Sequence, residues 1–358
     1  MGGTITIGRV AGTEIKVHLT FFILVAFWAM GGYQQAGARG ALAACLLLFA
    51  LFGCVLLHEF GHILMARRFG VRTPDVILLP IGGVARLERI PDEPKQELLI
   101  AIAGPAVTLG IVIVCYVLLA LGGVTPHMGA LNPAGPFLET LMRVNLYLLL
   151  FNLVPAFPMD GGRVLRALLA SRMGLVQGTR VAARLGQGLA LVGGLYAVMT
   201  GEWLLALVAI FVYLGAGAEA QAVETRAAGE GLNVGQMMIT EFRTIPVHAT
   251  LSNAVQLLLS GEQREFPVVD NLGRVEGILT RDNLVRGMKE RGPSAGVSEV
   301  MTAPVPVVSP LLGFQEALER LRSSGLPALP VVDGAGRLVG LLTLDNISDL
   351  LMVRRARA

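Results

Sequence analysis

The sequence predicts an α-helical polytopic membrane domain of six spans with a re-entrant β-hairpin, followed by a cytosolic α/β domain made of two tandem repeats. Three observations predict it. First, 54% of the 358 residues are hydrophobic and 15% are charged, with a mean hydropathy of +0.65, whereas a soluble domain carries about 25% charged residues. Second, the apolar runs are separated by loops that alternate between basic and neutral. Third, roughly the last third of the chain repeats itself at a constant offset. The net charge of +3 is too small to point to nucleic acid as a partner. Cys45, Cys54 and Cys115 all lie in apolar runs, where a small buried packing residue is the expected role.

A spanning helix needs about 20 largely apolar residues. Candidates run at about 17–35, 41–66, 98–122, 136–158, 183–200 and 203–220. The fifth is glycine-rich, which membrane helices tolerate because it lets neighbours approach. Segment 67–95 carries Arg67, Arg68, Arg72, Arg86, Arg89 and Lys95, and segment 161–184 carries Arg163, Arg166, Arg172, Arg180 and Arg184. The alternate loops are nearly bare: Arg39 stands alone near 31–40, and neither 123–135 nor 201–202 has a lysine or arginine. Basic loops stay in the cytoplasm, so six spans with both termini cytoplasmic satisfy the pattern. The N-terminal MGGTITIGRVAGTEIKVHLTFF lacks a short apolar core with a small-residue cleavage site, and no removable signal peptide is expected. RTPDVILLPIGGVARLERI, residues 72–90, is too short and broken to span; Pro80 and Gly82-Gly83 interrupt it. It reads as a hairpin dipping towards the membrane, which survives at that depth only under protein or beside a water-filled cavity.

After about residue 220 the composition turns small and polar, giving a membrane domain at 1–220, a linker at 221–236 and a repeat domain at 237–358. Met238 matches Met301, PVVD at 267–270 matches PVVD at 330–333, and GILTRDN at 277–283 matches GLLTLDN at 340–346, each about 63 residues apart. The two repeats, about 237–290 and 300–353, each read strand, helix, strand, strand, helix.

The chemistry concentrates at HEFGH, residues 58–62. Histidines at i and i+4 share one helix face, and their imidazoles can converge on one metal ion, for which Zn²⁺ is suited. Glu59 projects alongside, placed to take a proton from a metal-bound water and pass it to a leaving amine. The bland alternative is a histidine pair packed against a neighbouring helix; an unpaired carboxylate in that setting is hard to explain without function. A third ligand must come from another helix at the same depth. The fourth span ends in FNLVPAFPMDGGR, residues 151–163, also cytoplasmic by the charge pattern, and Asp160 is its only carboxylate. Pro155 and Pro158 break the helix, and Gly161-Gly162 permits a tight turn that aims Asp160 inwards. Asn152, about two turns earlier, is suited to hydrogen-bond a substrate backbone or an oxyanion; a plain interhelical bond is the competing role.

HEFGH in a membrane helix, followed by N-x-x-P-x-x-P-x-D-G-G, resembles the site-2 protease family of intramembrane zinc metalloproteases. The trailing repeats resemble a pair of CBS domains, as in the subgroup with a C-terminal CBS pair. The resemblance implies that His58, His62 and Asp160 bind one zinc ion, that Glu59 is the general acid/base, and that Asn152 contacts substrate or oxyanion. It implies a zinc endopeptidase of the cell membrane, bacterial, whose substrate is a single-span membrane protein cut in regulated intramembrane proteolysis. LPIGGVARLERI resembles the family's hairpin that pairs with unwound substrate. AGPAV at 103–107 resembles a family motif in the third span; Thr108 stands where relatives often have asparagine, a change expected to leave the zinc site undisturbed.

CBS pairs resemble sensors that bind adenine nucleotides between repeats and gate the domain they follow; homodimerisation through the pair is a further expectation. The family's ribose contact is Thr or Ser followed three residues later by Asp. Here the runs are Thr280-Arg281-Asp282-Asn283 and Thr343-Leu344-Asp345-Asn346, with asparagine where aspartate is expected. A CBS-regulated ion transporter is the alternative reading. The polar residues disfavour it, because they cluster near the cytoplasmic side at hydrolase spacing rather than along a conduction path.

Overall fold

The structure is a computed structural model that describes residues 3–80, 82–85, 93–125 and 136–357. It divides into two compact units, Met1–Val223 and Glu224–Ala358.

The first unit opens with the hairpin of β1 (Thr4–Val10) and β2 (Thr13–His18) and continues into α1 (Leu19–Arg68), whose N-terminus is capped by the His18 imidazole accepting from the Thr20 N–H. Fifty helical residues would run about 75 Å, more than twice the hydrocarbon thickness of about 30 Å. The chain avoids this by folding back. Ala36 and Gly37 leave helical geometry, with Gly37 at φ 60° and ψ −148°, a region that favours glycine. The backbones of Gly32 and Gly40 then meet with no room for a Cβ, and the Phe21 ring stacks edge-on against Phe52 at 4.6 Å. Residues 19–35 and 38–68 are thus antiparallel legs, matching the first two apolar segments. α1 is followed by β3 (Asp75–Leu79) and β4 (Gly82–Ala85), giving a sheet of order β1-β2-β3-β4 in which β2 and β3 are parallel and β4 lies at one edge. Within the stretch 72–90, β3 and β4 pair antiparallel; its residues 81 and 86–90 lie outside the described residues.

α2 (Pro94–Leu121), α5 (Leu175–Thr200) and α6 (Trp203–Ala228) are, with α1, the helices among the described residues long and apolar enough to cross a membrane. Their outward faces carry Phe27, Leu121, Trp203 and Leu204, each more than 70% exposed, as a lipid-facing surface requires. The segment expected to span at 136–158 differs. It holds α3 (Phe137–Asn152), whose 16 residues reach about 24 Å, and then a non-helical loop containing Pro155 and Pro158, which have no N–H to continue a helix. α4 (Asp160–Met173) follows, where the sequence suggested only a loop. Its three arginines, Arg163, Arg166 and Arg172, masked it in hydropathy, yet Leu165 and Leu169 pack against buried Ala182 and Ala183 of α5. Gly161 and Gly162 make no tight turn; they sit in the first turn of α4, where a Cβ would strike the backbone of Val154 and Ala156. α6 continues to Ala228, through the first half of the residues expected as linker.

The second unit holds the two repeats. The first comprises β5 (Ile245–Pro246), α7 (Leu251–Leu259), β6 (Glu265–Val269), β7 (Val275–Thr280) and α8 (Arg281–Arg291), in the expected order. The second has α9 (Phe314–Ser324), β8 (Ala328–Val332), β9 (Leu338–Thr343) and α10 (Leu344–Arg357); its leading strand is reduced to a single bridge from Val308 to Val331. The repeats exchange their leading segments. Ile239, at the start of the first repeat, pairs with Leu341 in β9, and Thr302, at the start of the second, pairs with Ile278 in β7. The repeated methionines make the same exchange: Met301 lies over Gly277, where a Cβ would come within 2.8 Å of its Sδ, and Met238 lies over Gly340 in the same way. Ile278, Ala328 and Leu341 form a small core joining the two repeats.

Candidate metal centre

His58 and His62 stand one turn apart on the second leg of α1, both buried, and Asp160 is the first residue of α4, also buried. Their polar atoms converge. His58 Nε2 lies 3.1 Å from His62 Nε2 and 3.1 Å from Asp160 Oδ2, and His62 Nε2 lies 3.3 Å from Asp160 Oδ1. The positive end of the α4 macrodipole faces the carboxylate, where it attracts negative charge.

The other imidazole nitrogens explain how the rings are aimed. His62 Nδ1 is 2.7 Å from the Ile100 carbonyl, which only accepts, so Nδ1 carries the proton and donates. His58 Nδ1 is 2.9 Å from Thr108 Oγ1, and the Thr108 hydroxyl donates onward to the Gly104 carbonyl at 3.4 Å; the direction of this chain also puts the proton on His58 Nδ1. Both Nε2 atoms therefore present lone pairs to each other and to a carboxylate. Three Lewis bases at such distances repel one another unless a cation, a metal ion or a proton on one imidazole, lies among them. Asp160 Oδ2 is moreover buried with no hydrogen-bond partner among the described residues. Two neutral imidazoles and one carboxylate, oriented by outer partners, are a donor set that fits zinc and leaves a position open for water.

The remaining letters of HEFGH have visible work. Phe60 packs with Ile15, Ile63 and Val76 beneath the sheet. Gly61 admits α2, because a Cβ there would lie 2.7 Å from the Ala103 carbonyl oxygen. Gly104 is the reciprocal approach: a Cβ on it would come within 2.8 Å of His58 Nε2 and closer still to His62 Nε2. Glu59 lines the same cavity, of about 330 Å³, together with Asn152, Asp160 and Arg163. Gly83 of the edge strand β4 lies against it, with room for no side chain: a Cβ would be 2.7 Å from Glu59 Cγ. The structure thus brings together all five residues singled out for catalysis and metal binding.

Thr108 and Gly104 are the residues that sequence reasoning missed. Thr108 is not a bystander to the histidines but a direct partner of one. Thr108→Val, which keeps the shape and removes the hydroxyl, is expected to weaken zinc binding about 10–100-fold, measured by competition with a chelator, while Thr108→Ser stays near wild type. Asn145, two turns before Asn152 and 1% exposed, also reaches the cavity.

In the second unit the expected nucleotide contacts are in structural use. Thr280 Oγ1 accepts from the Asn283 N–H and Thr343 Oγ1 from the Asn346 N–H, capping α8 and α10. The Asn283 amide donates to Thr302 Oγ1 at 3.0 Å, and the Asn346 amide donates to the Met237 carbonyl. Asp282 and Asp345 occupy the first turns of the two helices.

A buried His-His-Asp cluster beside a glutamate, between membrane-capable helices, defines a metallohydrolase class. The peptidase family M50 model matches residues 46–134 and 126–193, and the CBS domain model matches 234–290 and 297–353. The chain is 32% identical to a zinc metalloprotease of Methanocaldococcus jannaschii, over 97% of this chain and 96% of that one. It is 31% identical to Rip3 of Mycobacterium tuberculosis, over 99% and 94%. A site-2 protease structure from Methanocaldococcus jannaschii covers 61% of this chain and 95% of its own, at 38% identity and a TM-score of 0.46. The chain belongs to peptidase family M50, the site-2 proteases, and is a membrane zinc metalloprotease with a C-terminal CBS pair.

Proposed function

We propose that His58, His62 and Asp160 hold the zinc ion, that Glu59 is the general acid/base, and that the substrate is a single-span membrane protein cut in regulated intramembrane proteolysis. The convergence of three lone-pair donors on one buried point carries this reading. Zinc held there supplies a Lewis acid for the peptide carbonyl and lowers the pKa of water. The protein's own groups do the rest. Ile100 and Thr108 keep both imidazoles presenting Nε2. Glu59, which lines the cavity beside the three donors, accepts the proton of the attacking water and returns it to the leaving nitrogen. Asn152 donates its amide to the substrate carbonyl. The substrate helix must unwind before its backbone is accessible. The freed strand adds to the edge of β4, which passes Glu59 at Gly83 and is, in this reading, the outer strand of the re-entrant hairpin.

The basic loops support an orientation with both termini and the CBS pair in the cytoplasm of a bacterial cell, six passes, and the metal site near the cytoplasmic side. The testing experiment is the zinc content of the purified full-length protein beside His58→Ala and Asp160→Ala. About one zinc per chain, lost or sharply reduced in both variants, is expected. Zinc retained by Asp160→Ala would remove Asp160 from the ligand set.

For the CBS pair, an adenine nucleotide is the ligand the family likeness supports. A ribose held by Asn283 or Asn346 displaces their bonds to Thr302 and Met237, which lie beside the exchanged segments. That gives the ligand two unequal states to choose between, as gating requires. AMP titrated into the full-length protein is expected to release heat and change the cleavage rate; neither effect, at millimolar AMP, would remove the nucleotide from the reading.

A further inference from the structure

Arg166 is 3% exposed, one and a half turns beyond Asp160 on α4. Its Nε donates to Glu97 Oε1 at 2.6 Å and its Nη1 to Glu219 Oε1 at 2.6 Å, and its guanidinium lies 5.0 Å from the centre of the Phe157 ring. Glu97 is in the first turn of α2 and Glu219 is on α6. Phe157 belongs to the loop that delivers Asp160. One buried cation therefore joins three helices and that loop.

α6 touches the same loop at three more points. Gly215 lies against Pro158, where a Cβ would come within 2.9 Å of Cδ. Ala216 packs with Phe157, and Val212 packs with Met159. The loop is thus held between α6 and α5, whose Ala182, Ala183, Gly186 and Ala190 pack on it as well. α6 itself runs unbroken from Trp203 to Ala228, and the boundary between the two compact units falls within it, after Val223.

We propose that Arg166 is a positioning residue for Asp160, and that Glu219, gripping it from α6, sets where the Asp160 carboxylate stands. Neither residue touches the reacting atoms. A planar guanidinium can hold both carboxylates at fixed angles, which an ammonium cannot. Outer partners of this kind orient a metal ligand without binding the metal. This rests on Asp160 being a zinc ligand.

Glu219→Gln is the decisive variant. Its side chain is 32% exposed, and Arg166 keeps Glu97, so the fold survives where removal of Arg166 would strand a buried carboxylate. The full-length protein in lipid nanodiscs is assayed for zinc affinity against a chromogenic chelator, for kcat and KM separately, and for thermal stability. Glu219→Gln is expected to weaken zinc about 10-fold or more and to lower kcat with KM unchanged. Arg166→Lys is expected to do the same more strongly. Wild-type zinc affinity and kcat in Glu219→Gln overturn the proposal. So does a loss that follows only the folded fraction, with affinity per folded molecule unchanged. Asp160→Ala in the same series separates the two readings. Zinc kept there removes the ligand assignment; zinc lost there but unchanged in Glu219→Gln removes this proposal alone.

Discussion

Glu59→Gln will bind about one zinc per chain and cleave its substrate about 10²–10⁴-fold more slowly. The amide has the shape of the carboxylate and fits the same space against Gly83, so the cavity and the three donor atoms are undisturbed. What disappears is the ability to take a proton from water and give it to the departing nitrogen. The loss corresponds to about 3–5 kcal/mol of barrier. The measurement is a pair: zinc by elemental analysis and turnover of a membrane-anchored reporter. Zinc lost together with activity would mean that Glu59 is a ligand or a structural group. Activity retained would mean that another base does the work.

Gly104→Ala should be nearly as damaging without replacing any titratable group. The added methyl would enter the space of His62 Nε2 and His58 Nε2. α2 has no easy retreat, because the Ile100 carbonyl and Thr108 hydroxyl that hold the two imidazoles are on that same helix. Moving α2 away frees the rings to turn; leaving it in place pushes them off the metal. We expect a loss of about 1–3 kcal/mol in stability and of about 10–100-fold in zinc affinity. Gly110→Ala supplies the control on the same helix, since nothing lies within 4 Å of a Cβ there. Equal effects of the two substitutions would show that helix propensity, not the approach to the histidines, is responsible.

The clustering of the candidate site was legible to the extent that its geometry is local. An i, i+4 histidine pair lies on one face of any helix, so His58 and His62 required no tertiary information. Asp160 was reachable at one remove, because the basic loops placed both motifs at one depth and only one carboxylate was available. Thr108 and Gly104 were not reachable, since their roles depend on the crossing of α1 and α2. AGPAV announces a small residue but not which ring it faces. α4 was hidden by its own arginines, one of which is buried against two glutamates and so reads as cytoplasmic loop when counted as charge. The fourth apolar segment misled in the opposite sense: its hydropathy runs past Asn152, but the prolines end the helix there. In the repeat domain, the matching Met238 and Met301 marked a duplication, and the structure adds that each lies over a glycine of the other repeat.

That exchange has a bearing on how such a domain could arise. Each repeat pairs with the leading segment of its sibling, by bridges at Ile239–Leu341 and Thr302–Ile278. A chain with a single repeat could close the same bonds only by finding another molecule, and its assembly would depend on concentration. Fusing two copies turns that encounter into an intramolecular one, at an effective concentration on the order of millimolar. For a protein present in few copies per cell, the duplication makes the assembled state independent of abundance.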